Sequence, residues 1–147
     1  AGQVLEMVYL KEIREEASAA YTVSAQAGIS RDDFGTEASI YAYCPMKPEK
    51  QEEAVRILSA EVPALAEQCD AEMLAQVKEV MLKQADDRSK TNQYWNNVLQ
   101  TYQKYGIDTH TNYKKIISEA RPEHIVKFMR EFLKAGNQVA VIMLPEE

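Results

Sequence analysis

Two side chains with strong hydrogen-bond donors stand seven residues apart in the stretch IREEASAAYTVSAQAG, residues 13 to 28: Arg14 and Tyr21. Arg14 carries a permanently charged fork of N–H donors, and Tyr21 a phenolic hydroxyl. Between them a helical pattern gives way to a strand pattern, and such a junction can aim both groups outward from a rigid base. The residues alone also allow a plainer reading. An arginine on a helix is commonly a solvated charge paired with a glutamate one turn away, and a strand tyrosine is commonly half-buried.

Other candidate chemistry is sparse. The two cysteines, Cys44 and Cys69, form no C-x-x-C pair and read as small apolar residues. The two histidines, His110 and His124, lie in different segments and belong to no H-E-x-x-H or H-x-x-E-H set, so no zinc site made by this chain alone is expected. Ser18 and Ser24 have no histidine nearby in sequence to activate them. Tyr94, Trp95, Tyr102 and Tyr105 would make a stacking platform for a sugar or nucleotide, but aromatics at helical spacing are expected in the core. The acidic run EKQEE, residues 49 to 53, reads as a solvated first turn favoured by the helix dipole.

The elements that must position these groups follow from periodicity. Leu5, Tyr9, Ile13, Ala17 and Ala20 recur at spacings of three and four, which predicts a helix over residues 3 to 19. From Tyr21 the period is two: Tyr21, Val23, Ala25 and Ala27 share one face of a strand. A second alternation, Ala38, Ile40, Ala42 and Cys44 against Ser39, Tyr41 and Tyr43, predicts an antiparallel partner across the longer loop GISRDDFGT. Pro48 suits a first helical turn, with Ala54, Val55, Leu58 and Val62 as a buried stripe that should stop or kink at Pro63. Asp70 is the expected N-cap of a helix carrying Leu74, Val77, Met81 and Ala85. The pattern resumes at Trp95, Val98, Leu99 and Tyr102, with Gly106 as a C-terminal cap, so two helices or one bent helix fill residues 70 to 105. A short helix near Tyr113 to Ser118 precedes a longer one opening at Pro122, whose wide apolar face is Ile125, Phe128, Met129, Phe132 and Leu133. The run QVAVIMLP then reads as a closing strand covered on both faces.

The fold class expected is α+β: helix, antiparallel strand pair, helical region and closing strand, in a single domain over residues 1 to 147. A closing strand so buried does not suit a sheet of three strands with open edges, so further strands are expected from upstream chain or from a second copy pairing through an exposed sheet edge. A net charge of −6 with no basic stripe argues against nucleic acid as a partner. No apolar run reaches the roughly 18–20 residues of a membrane span, and these residues contain no secretory signal pattern.

The segments LKEIREEASAAYTVSA, EASIYAYCP, DRSKTNQYWNNVLQTYQKYGID, RPEHIVKFMREFL and QVAVIMLPE, in this order, resemble the C-terminal part of the pitrilysin/insulinase family of zinc peptidases, which carry an inverted metal motif. The likeness covers essentially the whole chain, and the Arg14-to-Tyr21 spacing is its most specific part. It implies a portion resembling half of the two-layer α/β domain of pitrilysin-family metallohydrolases. In that family two halves enclose a chamber, and the zinc ligands and the glutamate base lie in the N-terminal half. The matching arginine and tyrosine reach the substrate near the scissile bond, so by resemblance Arg14 and Tyr21 bind substrate and stabilise its transition state. This sequence departs from a whole enzyme in lacking the inverted His-x-x-Glu-His motif. The implied function is a non-catalytic, substrate-binding portion of a zinc metallopeptidase, inactive alone, with zinc and the metal site supplied by the N-terminal half of the same polypeptide and peptides as substrate. Bacterial relatives are often periplasmic or envelope proteins. The alternative is an inactive relative serving as a structural or protein-interaction domain.

Overall fold

A computed structural model describes residues 1–32 and 35–143. The elements are α1 (Gly2–Tyr9), a π-helical segment (Leu10–Glu16), β1 (Ser24–Asp32), β2 (Gly35–Tyr43), a 3₁₀ turn (Pro48–Lys50), α2 (Gln51–Glu67), α3 (Ala71–Arg88), α4 (Asn92–Tyr105), α5 (Tyr113–Glu119) and α6 (Pro122–Lys134). They form the expected α+β architecture, helices with one antiparallel strand pair. The chain divides into two compact units, Ala1–Cys69 with the residues from Glu123 onward, and Asp70–Pro122.

In the first unit α1 lies on β1 and α2, and Val4, Leu5, Tyr9 and Ile13 are buried at spacings that keep one stripe inward. Gly2 makes the approach to β1 close: a Cβ there would stand 2.6 Å from the backbone nitrogen of Ala27. The Tyr9 hydroxyl donates to the Leu58 carbonyl oxygen of α2 at 3.0 Å, so this buried phenol is satisfied. The helix expected over 3 to 19 therefore exists in two parts. Its last two turns widen into π geometry, which takes more residues per turn and ends the helix at Glu16.

The strand pair is antiparallel, as expected, with Ser24 opposite Tyr43 and Asp32 opposite Gly35. Three details differ from expectation. Tyr21 precedes β1 rather than lying in it, and it is exposed while Val23 and Ala25 are buried. The longer loop is largely absorbed into the strands, because the ladder continues to Asp32–Gly35, where the Gly35 N–H donates to Asp32 Oδ1 at 3.0 Å. Asp33 and Phe34 of that loop lie outside the described residues. Finally, α2 does not stop at Pro63 but continues to Glu67, burying Leu65 and Ala66 beyond it. Burial of one more turn offsets the hydrogen bond that proline removes.

The expected closing strand is not formed in residues 138–143, which adopt no regular structure. Val139, Val141 and Met143 are 87%, 83% and 86% exposed, and Leu144 and Pro145 lie outside the described residues. A strand exists only where another backbone completes its hydrogen bonds. In α6, Met129 is fully buried, but Phe128 and Leu133 are exposed, a narrower inward face than the pattern predicted.

In the second unit the Asp70 carboxylate caps α3, accepting from the Met73 N–H at 2.6 Å, and Leu74, Val77 and Ala85 are buried. Two separate helices follow, since Thr91 caps α4 through the Tyr94 N–H at 3.3 Å, and Gly106 ends it at φ +69°. The Lys78 ammonium donates to the Ser118 and Ala120 carbonyls at 2.6 and 3.0 Å, satisfying the C-terminal end of α5 from α3. The aromatics expected in the core are not there: α4 buries none of its residues, and Trp95, Leu99, Tyr102 and Tyr105 are exposed.

Candidate functional site

The junction between the π-helical segment and β1 is built by backbone bonds. The Ala17 N–H donates to the Glu12 carbonyl at 2.9 Å and the Ala19 N–H to the Ile13 carbonyl at 2.9 Å. Ser18, between them, is the one non-glycine residue with positive φ among the described residues, at +49°. The arrangement is a Schellman-like ending widened by one residue, with Ser18 in the left-handed position that glycine usually takes. That conformation costs a residue with a Cβ roughly 1–2 kcal/mol. The chain beyond Ser18 is pinned: the Lys47 N–H donates to the Ala19 carbonyl at 3.0 Å, and Ala20 bridges Met46 in antiparallel fashion. Ala19, Ala20 and Val23 are buried.

This turn brings the two sequence-identified residues together. The guanidinium carbon of Arg14 lies 6.0 Å from the Tyr21 ring centroid. Both side chains are exposed, Tyr21 by 88%. Among the described residues no carboxylate pairs with Arg14; it is Lys11 that lies 3.9 Å from Glu16. Arg14 is thus a solvated helix charge without the expected glutamate partner, and Tyr21 is an exposed aromatic rather than a half-buried one. At an exposed site a cation–π contact at this distance contributes about 0.5–1 kcal/mol, too little to organise the turn. The backbone sets the pair, and the donors of both side chains face solvent.

Tyr94 Oη and His110 Nδ1 are hydrogen-bonded at 2.7 Å, and the His110 ring lies 4.6 Å from that of Trp95. Asp108 holds the turn before them: the Thr111 side chain, with the N–H groups of Thr111 and His110, lowers its carboxyl pKa to about 2. The sequence pattern groups Tyr94 and Trp95 with Tyr102 and Tyr105 and leaves His110 apart, whereas the structure sets the His110 ring against Tyr94 and Trp95. Cys69 is buried and Cys44 half-buried, with burial pushing the Cys44 thiol up. An open groove between Pro63–Glu67 and Arg130–Lys134 holds an ion pair, Arg130 with Glu67 at 3.4 Å, and lies apart from the junction in sequence. Among the described residues no group of three or more His, Cys, Asp or Glu side chains is placed to hold a metal ion. No helix among the described residues is long and apolar enough to cross a membrane.

No family model and no curated protein matches the chain. Among solved structures its fold is similar to part of the periplasmic protease PqqL from Escherichia coli, with a TM-score of 0.62 and 19% sequence identity. The match covers 90% of this chain and 15% of that one. The likeness shows the fold, and at that level the resemblance read from the sequence, to a domain of a much longer peptidase, is borne out.

Proposed function

We propose that this chain is the substrate-binding portion of a zinc metallopeptidase, whose metal site is supplied by the N-terminal half of the same polypeptide. The observation that carries the reading is the exposed pairing of Arg14 and Tyr21, 6.0 Å apart on a backbone turn that is fixed on both sides. A peptide carbonyl gains negative charge as water attacks it. The Arg14 N–H groups and the Tyr21 O–H would then donate to that oxygen. The edges of the β1–β2 pair offer backbone hydrogen bonds to an extended peptide, a sequence-tolerant grip. Zinc and the base that activates water belong, in this reading, to the remainder of the polypeptide, so the 147-residue chain alone cleaves nothing.

Fold likeness to a protease supports the reading, as does the span of the match, 15% of a longer chain. The test is Tyr21→Phe in the full-length polypeptide. Loss of one oxyanion donor costs about 3 kcal/mol, on the order of 100-fold in kcat. Because Tyr21 is 88% exposed, the fold should be untouched. An unchanged rate removes Tyr21 from the mechanism. A second reading, a structural or interaction domain, draws support from the exposed Trp95, Leu99 and Tyr102 on α4. An inverted His-x-x-Glu-His upstream in the gene favours the peptidase, and degraded ligands there favour the scaffold.

A further inference from the structure

We propose that Ser18 is a positioning residue: its left-handed backbone holds the Tyr21 phenol against the Arg14 guanidinium. The inference rests on the reading of that pair as substrate donors, and deepens it. Upstream of Ser18 the chain is fixed by the helix bond from the Ala17 N–H to the Glu12 carbonyl and by buried Ile13. Downstream it is fixed by the bond from the Ala19 N–H to the Ile13 carbonyl, by Lys47 and Met46 on Ala19 and Ala20, and by buried Val23. Ala17 itself is ordinary right-handed helix, at φ −82° and ψ −17°. The left-handed step between Arg14 and Tyr21 falls on residue 18, at φ +49°.

Tyr21 has little packing of its own, being 88% exposed, so the direction of its Cα–Cβ bond is inherited from this turn. The Ser18 side chain is itself exposed, which separates its role from core packing. A left-handed backbone at a residue with a Cβ, lying between two exposed donors, is the pattern expected where strain serves placement.

The test uses Ser18→Gly and Ser18→Val in the full-length polypeptide. Glycine accepts positive φ freely, whereas a β-branched residue resists it. Crystal structures should show S18G keeping the 6.0 Å separation and S18V parting the ring from the guanidinium. In turnover S18V should lose on the order of 100-fold in kcat, with KM within about twofold, as a misplaced transition-state donor does. Added to Tyr21→Phe, S18V should cost nothing further, because it acts through that hydroxyl. The proposal is overturned if S18V keeps the pair together, if S18G separates it, or if the S18V and Y21F losses multiply. It is overturned also if S18V fails to fold by circular dichroism, since residue 18 would then hold the domain rather than the pair. Should Y21F turn over at the full rate while S18V still parts the two side chains, the peptidase reading fails and the placement by Ser18 stands.

Discussion

A side chain's environment decides what its chemistry does. Arg14 and Tyr21 meet in water, where their mutual attraction is weak, and so keep donors free for a third group. Tyr9 is the opposite case: a phenol buried under α2, with its hydroxyl spent on the Leu58 carbonyl. Burial, reinforced by the Glu61 carboxylate, raises its pKa to about 12. Because the folded pKa lies above the ordinary value of 10, this contribution to stability is fully present below pH 10 and is lost as pH rises through about 12. Tyr9→Phe loses one hydrogen bond, about 1 kcal/mol, and leaves the Leu58 carbonyl short of that donor, so its Tm should be lower at neutral pH. Above pH 10 the gap to the wild type should close, since phenylalanine cannot ionise. Thermal melts of both proteins across that range check it, and a gap that stays constant would show Tyr9 does not ionise on unfolding. For Asp108 the sign is reversed: its lowered pKa makes a contribution present above the ordinary carboxylate range and lost as pH falls through about 2.

Among the elements, the close seat of α1 on β1 is what carries the π-helical segment and Arg14 to the junction. Gly2→Ala places a Cβ 2.6 Å from backbone that cannot rotate away, so it should destabilise by about 1–3 kcal/mol in urea titrations. Asp70→Ala removes the α3 cap and should cost about 1 kcal/mol. On α4, Leu99 is 62% exposed and its replacement by Lys should change stability by less than about 0.5 kcal/mol, whereas Leu74→Ala in α3 should cost roughly 2–5 kcal/mol. Equal losses at the two leucines would mean that the α4 face is covered after all.

At the scale of the molecule, the 139–143 run is apolar, rich in β-branched residues, free of charge and exposed. Such segments aggregate unless they are paired. Proposed partnership with the remainder of a longer polypeptide predicts a split result for Val141→Lys. In the 147-residue chain it should improve solubility without lowering Tm; in the full-length polypeptide, where the run would gain strand neighbours, it should lower Tm by several degrees. Equal behaviour in both contexts would argue that no sheet receives this segment.

Local physics was legible in the sequence. Helical spacing marked every helix, Asp70 and Gly106 marked two of their ends, and alternation marked the strand pair, because each depends on residues within a few positions of one another. The α+β class and the fold likeness followed from that order. Legible too was the Arg14-to-Tyr21 spacing, but not the π-helical widening or the left-handed Ser18 that join them, since alanines and serine at 17 to 20 suit several turns equally. Whether Trp95 and Tyr102 are core, whether α2 outlasts Pro63, and whether QVAVIM is a strand were decided by tertiary structure alone. Burial and strand pairing are properties of what stands opposite a residue, and an apolar run carries the need for a neighbour without carrying the neighbour.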